Sequence, residues 1–143
     1  RGDRPFAVDG KRGSTAYVET AARGGEGAIP PLEEIRATII FDMVGDCDLD
    51  IPYEPNSERE LHEVFAAVDP ETFAGETTAI DDDHVPFAER GVAAVDLIDF
   101  DYGPGPGSYW HTPEDALDKV CAESLAVVGG AAERALPDIG SAP

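Results

Sequence analysis

Two apolar runs constrain the fold of this chain more than any other feature. Residues 37–45 and 92–98 are rich in aliphatic and β-branched side chains, and neither run alternates regularly with polar residues. Such runs are typical of strands that are buried on both faces, as in a parallel sheet covered by helices. The sequence therefore predicts an α/β fold with strands at residues 37–45 and 92–98, the second of them interrupted by Asp96.

The helices are predicted from end signals and from apolar periodicity. Ser14 is the predicted cap of a helix that ends before Gly24, and residues 57–60 (Ser-Glu-Arg-Glu) have the form of a capping box. Apolar residues then recur at helical spacing, at Leu61, Val64, Phe65 and Val68. His62 falls outside this stripe and is predicted to be an exposed surface histidine.

Four further segments carry weaker signals. A last helix is predicted over residues 122–136, ending at Pro137, with an apolar face formed by Leu125, Val128, Ala132 and Leu136. Thr112, followed by a proline and two acids, is the predicted cap of another helix. Residues 6–8 and 77–80 are predicted short strands.

Length and charge limit the classes of function. The 143 residues suit a single domain that spans residues 1–143. The chain has 30 acidic residues, only two lysines, and a formal net charge of −20, which argues against nucleic-acid binding because phosphates would be repelled. This charge is compatible with a salt-rich habitat or with a cation site in an acidic field. No apolar run has the length of a membrane span.

The two cysteines, Cys47 and Cys121, lie far apart in the sequence and belong to no CxxC pair. Spacing alone does not establish a disulfide, and two free thiols are the prediction.

Acids and imidazoles lie next to the predicted strands. Asp42 is near the carboxyl end of the first strand, where ligands bind in open α/β sheets, and a buried carboxylate there needs a metal, another cation or several hydrogen-bond donors. The alternative for Asp42 is a turn cap. Three acids at residues 81–83 precede His84. If Asp82 faces Asp42, the two charges repel and one pKa rises; the alternative is a solvated turn.

Two histidines are candidate functional residues. His111 follows Trp110 and a glycine- and proline-rich loop, and together with Asp42 it provides nitrogen and oxygen ligands of the kind that zinc accepts. The alternative for His111 is a structural role. His84 is interpreted either as a substrate contact or as a residue that holds its loop by a backbone hydrogen bond.

Four motifs in order resemble one family. They lie at residues 40–45 (Ile-Phe-Asp-Met-Val-Gly), 82–87 (Asp-Asp-His-Val-Pro-Phe), 91–98 and 110–115 (Trp-His-Thr-Pro-Glu-Asp). Together they resemble the C-terminal half of the zinc aminopeptidase superfamily (peptidase family M28), and specifically its bacterial glutaminyl-cyclase-like branch. The similar region runs from about residue 36 to the end of the chain.

The resemblance implies a three-layer α/β/α fold around a mixed, mostly parallel sheet, incomplete at its N-terminus. It assigns His111 and Asp42 to metal binding, with zinc as the cofactor, as one ion or two. It places Asp82 in a carboxylate network with Asp42, and Trp110 in the wall of the substrate pocket. The implied partner is a peptide with a free N-terminus, in a secreted or periplasmic compartment.

The resemblance also leaves three functions open. The first is glutaminyl-peptide cyclisation, the second is aminopeptidase hydrolysis, and the third is an inactive binding module of the same fold. The third arises because Lys11 and Arg12 stand where the family has a Glu-Glu pair that supplies the base and a metal ligand.

Overall fold

The computed structural model describes residues 10–141, so the predicted strand at residues 6–8 lies outside the described residues. Within residues 10–141, two strands and four α-helices follow one another, with short 3-10 turns at Leu32–Glu34 and Leu117–Lys119. These elements are α1 (Arg12–Ala22), β1 (Ala37–Asp42), α2 (Arg59–Val68), α3 (Val85–Ala88), β2 (Ala93–Ile98) and α4 (Ala122–Ser141).

Both predicted strands form, and they pair in parallel. The register runs from Ala37 opposite Ala93 to Asp42 opposite Ile98. Strand β1 ends earlier than predicted because Met43 turns the chain with a φ of 53°. Strand β2 is buried along nearly its whole length, whereas β1 is mostly half-buried. The α/β prediction is confirmed.

Helices cover both faces of this sheet, as the three-layer prediction requires. Side chains alternate between the two faces of a strand. On one face of β2, Val95 and Leu97 pack with α2 and α4 in the larger core cluster, which includes Phe65. On the other face, Ala94 packs with Val18 of α1 and with α3. The site described below lies at the carboxyl ends of these strands.

Helix ends differ from the prediction in two places. Helix α1 begins at Arg12, so Ser14 lies inside it rather than capping it. Helix α2 has Glu58 as its N-cap with no side-chain cap, and the predicted capping box is wrong. The hydroxyl of Ser57 instead accepts the N–H of Asp96 from β2 at 2.8 Å. The Ser57 hydroxyl, which the predicted capping box would use within α2, therefore binds the backbone of β2.

Helix α4 continues through Pro137 to Ser141, so the predicted end is wrong. Proline removes one hydrogen bond of the helix, and here the helix continues past that loss. The predicted apolar face is also rotated: Leu125 and Leu136 are exposed, and the buried positions are Ser124, Val128, Ala131 and Ala135. Small side chains on this face allow α4 to lie close to the core.

Three other predictions are corrected. No helix begins at Thr112, whose hydroxyl instead accepts the N–H of Glu114 at 3.2 Å in a turn. Residues 77–80 form no strand. His62 is buried, not exposed: its Nε2 lies 3.2 Å from the carbonyl oxygen of Ile51, and its ring packs edge-on against Phe73. The contact with the Ile51 carbonyl gives the Nε2 atom of His62 a hydrogen-bond partner inside the protein, whereas helical periodicity alone predicts an exposed ring.

The prediction of two free thiols is wrong, because Cys47 and Cys121 form a disulfide with their Cα atoms 5.1 Å apart. Their separation of 74 residues gives no local signal. The backbone brings them together, since the N–H of Cys121 donates to the carbonyl oxygen of Gly45 at 2.9 Å.

Among residues 10–141, none of the helices combines the length and the apolar character that a bilayer crossing requires.

Candidate acid site at the carboxyl end of the sheet

Asp42 is the last residue of β1 and is half-buried at the carboxyl end of the sheet. Burial raises the pKa of Asp42, and the nearby charge of Asp82 raises it further, against a hydrogen bond from the N–H of Met43 that lowers it. Smaller contributions come from Asp83 and Asp115. Asp42 therefore lies in an acidic field drawn from two different loops.

Asp82 lies on the turn that precedes α3, and it is also half-buried. Burial raises the pKa of Asp82, and the charges of Asp83 and Asp81 raise it too, while the N–H of Asp83 lowers it through a hydrogen bond of 2.7 Å. Two acids with raised pKa values and mutual repulsion hold protons more readily than isolated carboxyls do. The structure thus places Asp82 close enough to Asp42 for their charges to interact.

The other two acids of the triplet are held by the start of α1. The side chain of Asp83 accepts a hydrogen bond from the Ser14 hydroxyl at 2.6 Å. The ammonium group of Lys11 contacts the carboxylate of Asp81. Of the triplet, Asp82 raises the pKa of Asp42 most and Asp83 less, in agreement with the expectation that consecutive residues of an extended segment cannot all face one site.

Trp110 and His111 lie in the turn that follows β2. The ring of Trp110 is 39% exposed, stacks on the His111 ring with centroids 4.0 Å apart, and lies 5.8 Å from the Phe100 ring. His111 has a φ of 57°. The same turn leads to Asp115, whose charge reaches Asp42, so the turn lies at the same end of the sheet. A cation shared by Asp42 and His111 remains a prediction.

The described residues do not fit a zinc ion on their own. Residues 10–141 contain no group of three or more His, Cys, Asp or Glu side chains arranged to hold a metal ion. A tight site needs three protein ligands or more. The start of α1 also brings the positive charge of Lys11 to the carboxylate of Asp81, and a cation there repels a metal ion.

Sequence reasoning missed a buried triad behind this site. Glu54, His84 and Asp96 have no exposed surface. Nε2 of His84 lies 3.0 Å from Oε1 of Glu54, and its Nδ1 lies 3.6 Å from Oδ2 of Asp96. The role of His84 as a substrate contact remains a prediction. Its ring lies against two carboxyl groups and has no solvent-exposed surface in this conformation. Its side chain is held from both sides inside the protein.

One member of this triad had a readable signal. Asp96 interrupts an otherwise apolar strand, and a charged residue in that position needs a partner. Glu54 lies in an irregular loop next to Pro55 and has no such signal. Its role depends on a contact 30 residues away in sequence, which neither periodicity nor spacing predicts.

Comparisons with known proteins agree with the observed fold. The model of a family described as peptidase family M28 matches residues 9–135, which extends the similar region beyond the predicted start near residue 36. A comparison with curated protein sequences gives no match.

Solved structures match the chain over most of its length. A glutaminyl cyclase from an Acidobacteriales bacterium is 35% identical with a TM-score of 0.84, over 96% of this chain and 48% of that one. The glutaminyl cyclase of Porphyromonas gingivalis is 24% identical (TM-score 0.70), over 89% of this chain and 48% of that one. A leucine aminopeptidase precursor from Bacteroides thetaiotaomicron is 20% identical (TM-score 0.71), over 94% and 46%.

The last two likenesses show the fold alone. The chain spans about half the length of each of these structures. With the family match covering most of its residues, and with the parallel strand pair between two helical layers, the chain belongs to peptidase family M28.

Proposed function

We propose that this domain is part of a glutaminyl-cyclase-type enzyme that acts on the free N-terminus of a peptide. The observation that carries this proposal is the acid pair Asp42 and Asp82, with raised pKa values, at the carboxyl end of β1. Support also comes from the 35% identity to a glutaminyl cyclase over 96% of the chain. Asp42, Asp82 and Trp110 are the proposed catalytic residues.

An acid pair of this kind suits an amine substrate. The ionised member attracts the α-ammonium group of the peptide, in a protein whose net charge of −20 already favours cations. Because the pKa values of Asp42 and Asp82 are raised, a carboxylate of the pair is a stronger base than an isolated one and accepts a proton from the ammonium group. The neutral amine then attacks the side-chain amide carbon of an N-terminal glutamine. One carbon–nitrogen bond forms, another breaks, and the proton leaves with ammonia.

Trp110 supplies the proposed contact with the first side chain of the peptide. Its ring is partly exposed and is supported from behind by Phe100. A fixed aromatic ring offers apolar area at little cost in conformational entropy. Zinc dependence, with one ion or two, belongs to this proposal through the family alone, and no step above depends on it.

Two other functions have their own support. Hydrolysis by an aminopeptidase is supported by the likeness to the leucine aminopeptidase precursor, which concerns the fold. The contact of Lys11 with Asp81 supports a binding module that holds a peptide N-terminus without catalysis. The lysine neutralises the negative charge of Asp81, which would otherwise attract a metal ion.

Mass spectrometry of a peptide that begins with glutamine, incubated with the full chain with and without added zinc, distinguishes these functions. Cyclisation removes ammonia from the peptide, and we expect Asp42→Asn to slow it by at least about 100-fold. The matched control is Asp48→Asn, an exposed acid in the loop after β1. Release of free glutamine would favour the aminopeptidase. Saturable binding without product would favour the binding module. Neither product nor binding would overturn the proposal.

A further inference from the structure

Three ionisable side chains lie together in the interior, behind the acid pair. Glu54, His84 and Asp96 are each fully buried. Neither carboxyl oxygen of Asp96 has a hydrogen-bond donor among the described residues. A buried carboxylate without donors is costly, so this group needs either a proton of its own or a positive partner. The imidazole of His84 lies beside it, with Nδ1 3.6 Å from Oδ2 of Asp96.

The positions of the protons follow from the donors around Glu54. Burial would raise the pKa of Glu54, but hydrogen bonds from His84, from the Ser57 hydroxyl and from two backbone N–H groups together hold it below its usual value. Nε2 of His84 lies 3.0 Å from Oε1 of Glu54, so a proton on Nε2 would face a carboxylate oxygen. Nδ1 faces Asp96, and without a further proton two lone pairs would face each other.

The His84–Asp96 pair therefore holds one more proton, on Nδ1 or on Oδ2. With Glu54 ionised, the triad has a net charge of −1 in either case. Burial raises the pKa of Asp96 to about 8, and the charges of Asp42, Asp82, Glu54 and Asp83 contribute to this value. These charges come from β1, from the turn before α3 and from the Glu54 loop.

The same triad holds both ends of the acid turn. Oε2 of Glu54 accepts the N–H of Ile80 at 3.0 Å, and the side-chain amide of Asn56 donates to the carbonyl oxygen of Ile80 at 2.7 Å. Oε1 of Glu54 faces His84 at the other end. Residues 81–83 lie between these two attachments. Glu54 thus fixes where the turn carries Asp82, and Asp96 lies close enough to influence its charge.

We propose that Glu54, His84 and Asp96 form a buried proton-sharing triad that sets both the position and the charge of Asp82 opposite Asp42. The three are positioning residues, because none of them has a surface from which to contact a substrate. This inference concerns the acid pair of the proposed function and rests on it for its meaning in catalysis.

Carboxyl-carbon and imidazole-nitrogen NMR of the full chain, titrated without any peptide, tests the triad. We expect the Asp96 carboxyl-carbon signal to change as the pH rises through about 8, the value to which burial raises the pKa of this group. The Asp82 signal should show the same transition. In Asp96→Asn that transition should disappear from the Asp82 signal, while its main titration remains. An Asp96 signal that does not change near pH 8, or an Asp82 signal that does not follow it, would overturn the proposal.

A second variant separates positioning from general loss of structure. Glu54→Gln keeps the side-chain volume but replaces a charged acceptor, and we expect it to change the pKa of Asp82 because Glu54 holds both ends of the acid turn. Glu76→Gln, an exposed acid in the same region, is the control and should leave it unchanged. An unchanged Asp82 titration in Glu54→Gln would contradict the positioning role. Because no peptide is used, failure of the cyclisation assay would leave this result intact, and the reverse also holds.

Discussion

Replacing both Cys47 and Cys121 by serine is expected to lower the free energy of unfolding by about 4 kcal/mol. The disulfide closes a loop with a sequence separation of 74, and a cross-link over a loop of that length removes much of the conformational entropy of the unfolded chain. It also ties the loop after β1 to the start of α4, and so to one of the two helices that cover the larger core. Urea unfolding followed by circular dichroism measures the change.

The single variant Cys47→Ser is the control for this experiment. It removes the same cross-link with one fewer substitution, so it should lose as much stability as the double variant. The unaltered protein in the presence of a reductant should match both. Equal unfolding midpoints for the oxidised protein and the double variant would show that the disulfide contributes nothing to stability.

Glu54→Ala is expected to cost about 3–5 kcal/mol, because removing one partner of a buried ionic network leaves the others uncompensated. Four donors lose their acceptor: the N–H groups of Asn56 and Ile80, the Ser57 hydroxyl and the imidazole of His84. The same urea titration measures this loss.

Glu76→Ala is the matched control. The carboxylate of Glu76 pairs with Arg59 at 2.8 Å, but the Glu76 side chain is 62% exposed. Exposed ion pairs contribute less than about 1 kcal/mol to stability. If the two alanine variants lost the same stability, the triad would have no special structural role.

The sheet and its covering helices were predictable because their signals are local. The apolar runs that became β1 and β2, and the stripe from Leu61 to Val68 on α2, need only chain-neighbour information. The Cys47–Cys121 disulfide and the buried position of His62 were not predictable in this way. Each depends on two segments meeting in space, at Gly45 with Cys121 and at Ile51 with His62.

The candidate site was predictable in part for the same reason. Asp42 could be placed at the end of a strand, where sheet topology locates ligands, and the structure puts Asp82 near it. The attachment of the acid turn by Glu54, and the contact of Lys11 with Asp81, join residues 26 or more positions apart. No motif predicts them, since each is fixed by the packing of a loop or a helix against the turn.

Isothermal titration of a glutamine-starting peptide into the full chain tests the central claim, which is that the acid pair receives a peptide N-terminus. We expect binding to weaken at least about tenfold when the peptide is N-acetylated, because acetylation removes the positive charge of its ammonium group. A similar factor is expected for Asp42→Asn, which removes the negative charge of one carboxylate of the acid pair. Binding should also weaken as the pH falls through the raised pKa values of Asp42 and Asp82, which neutralises them. Equal affinity for the free and the acetylated peptide would contradict the account.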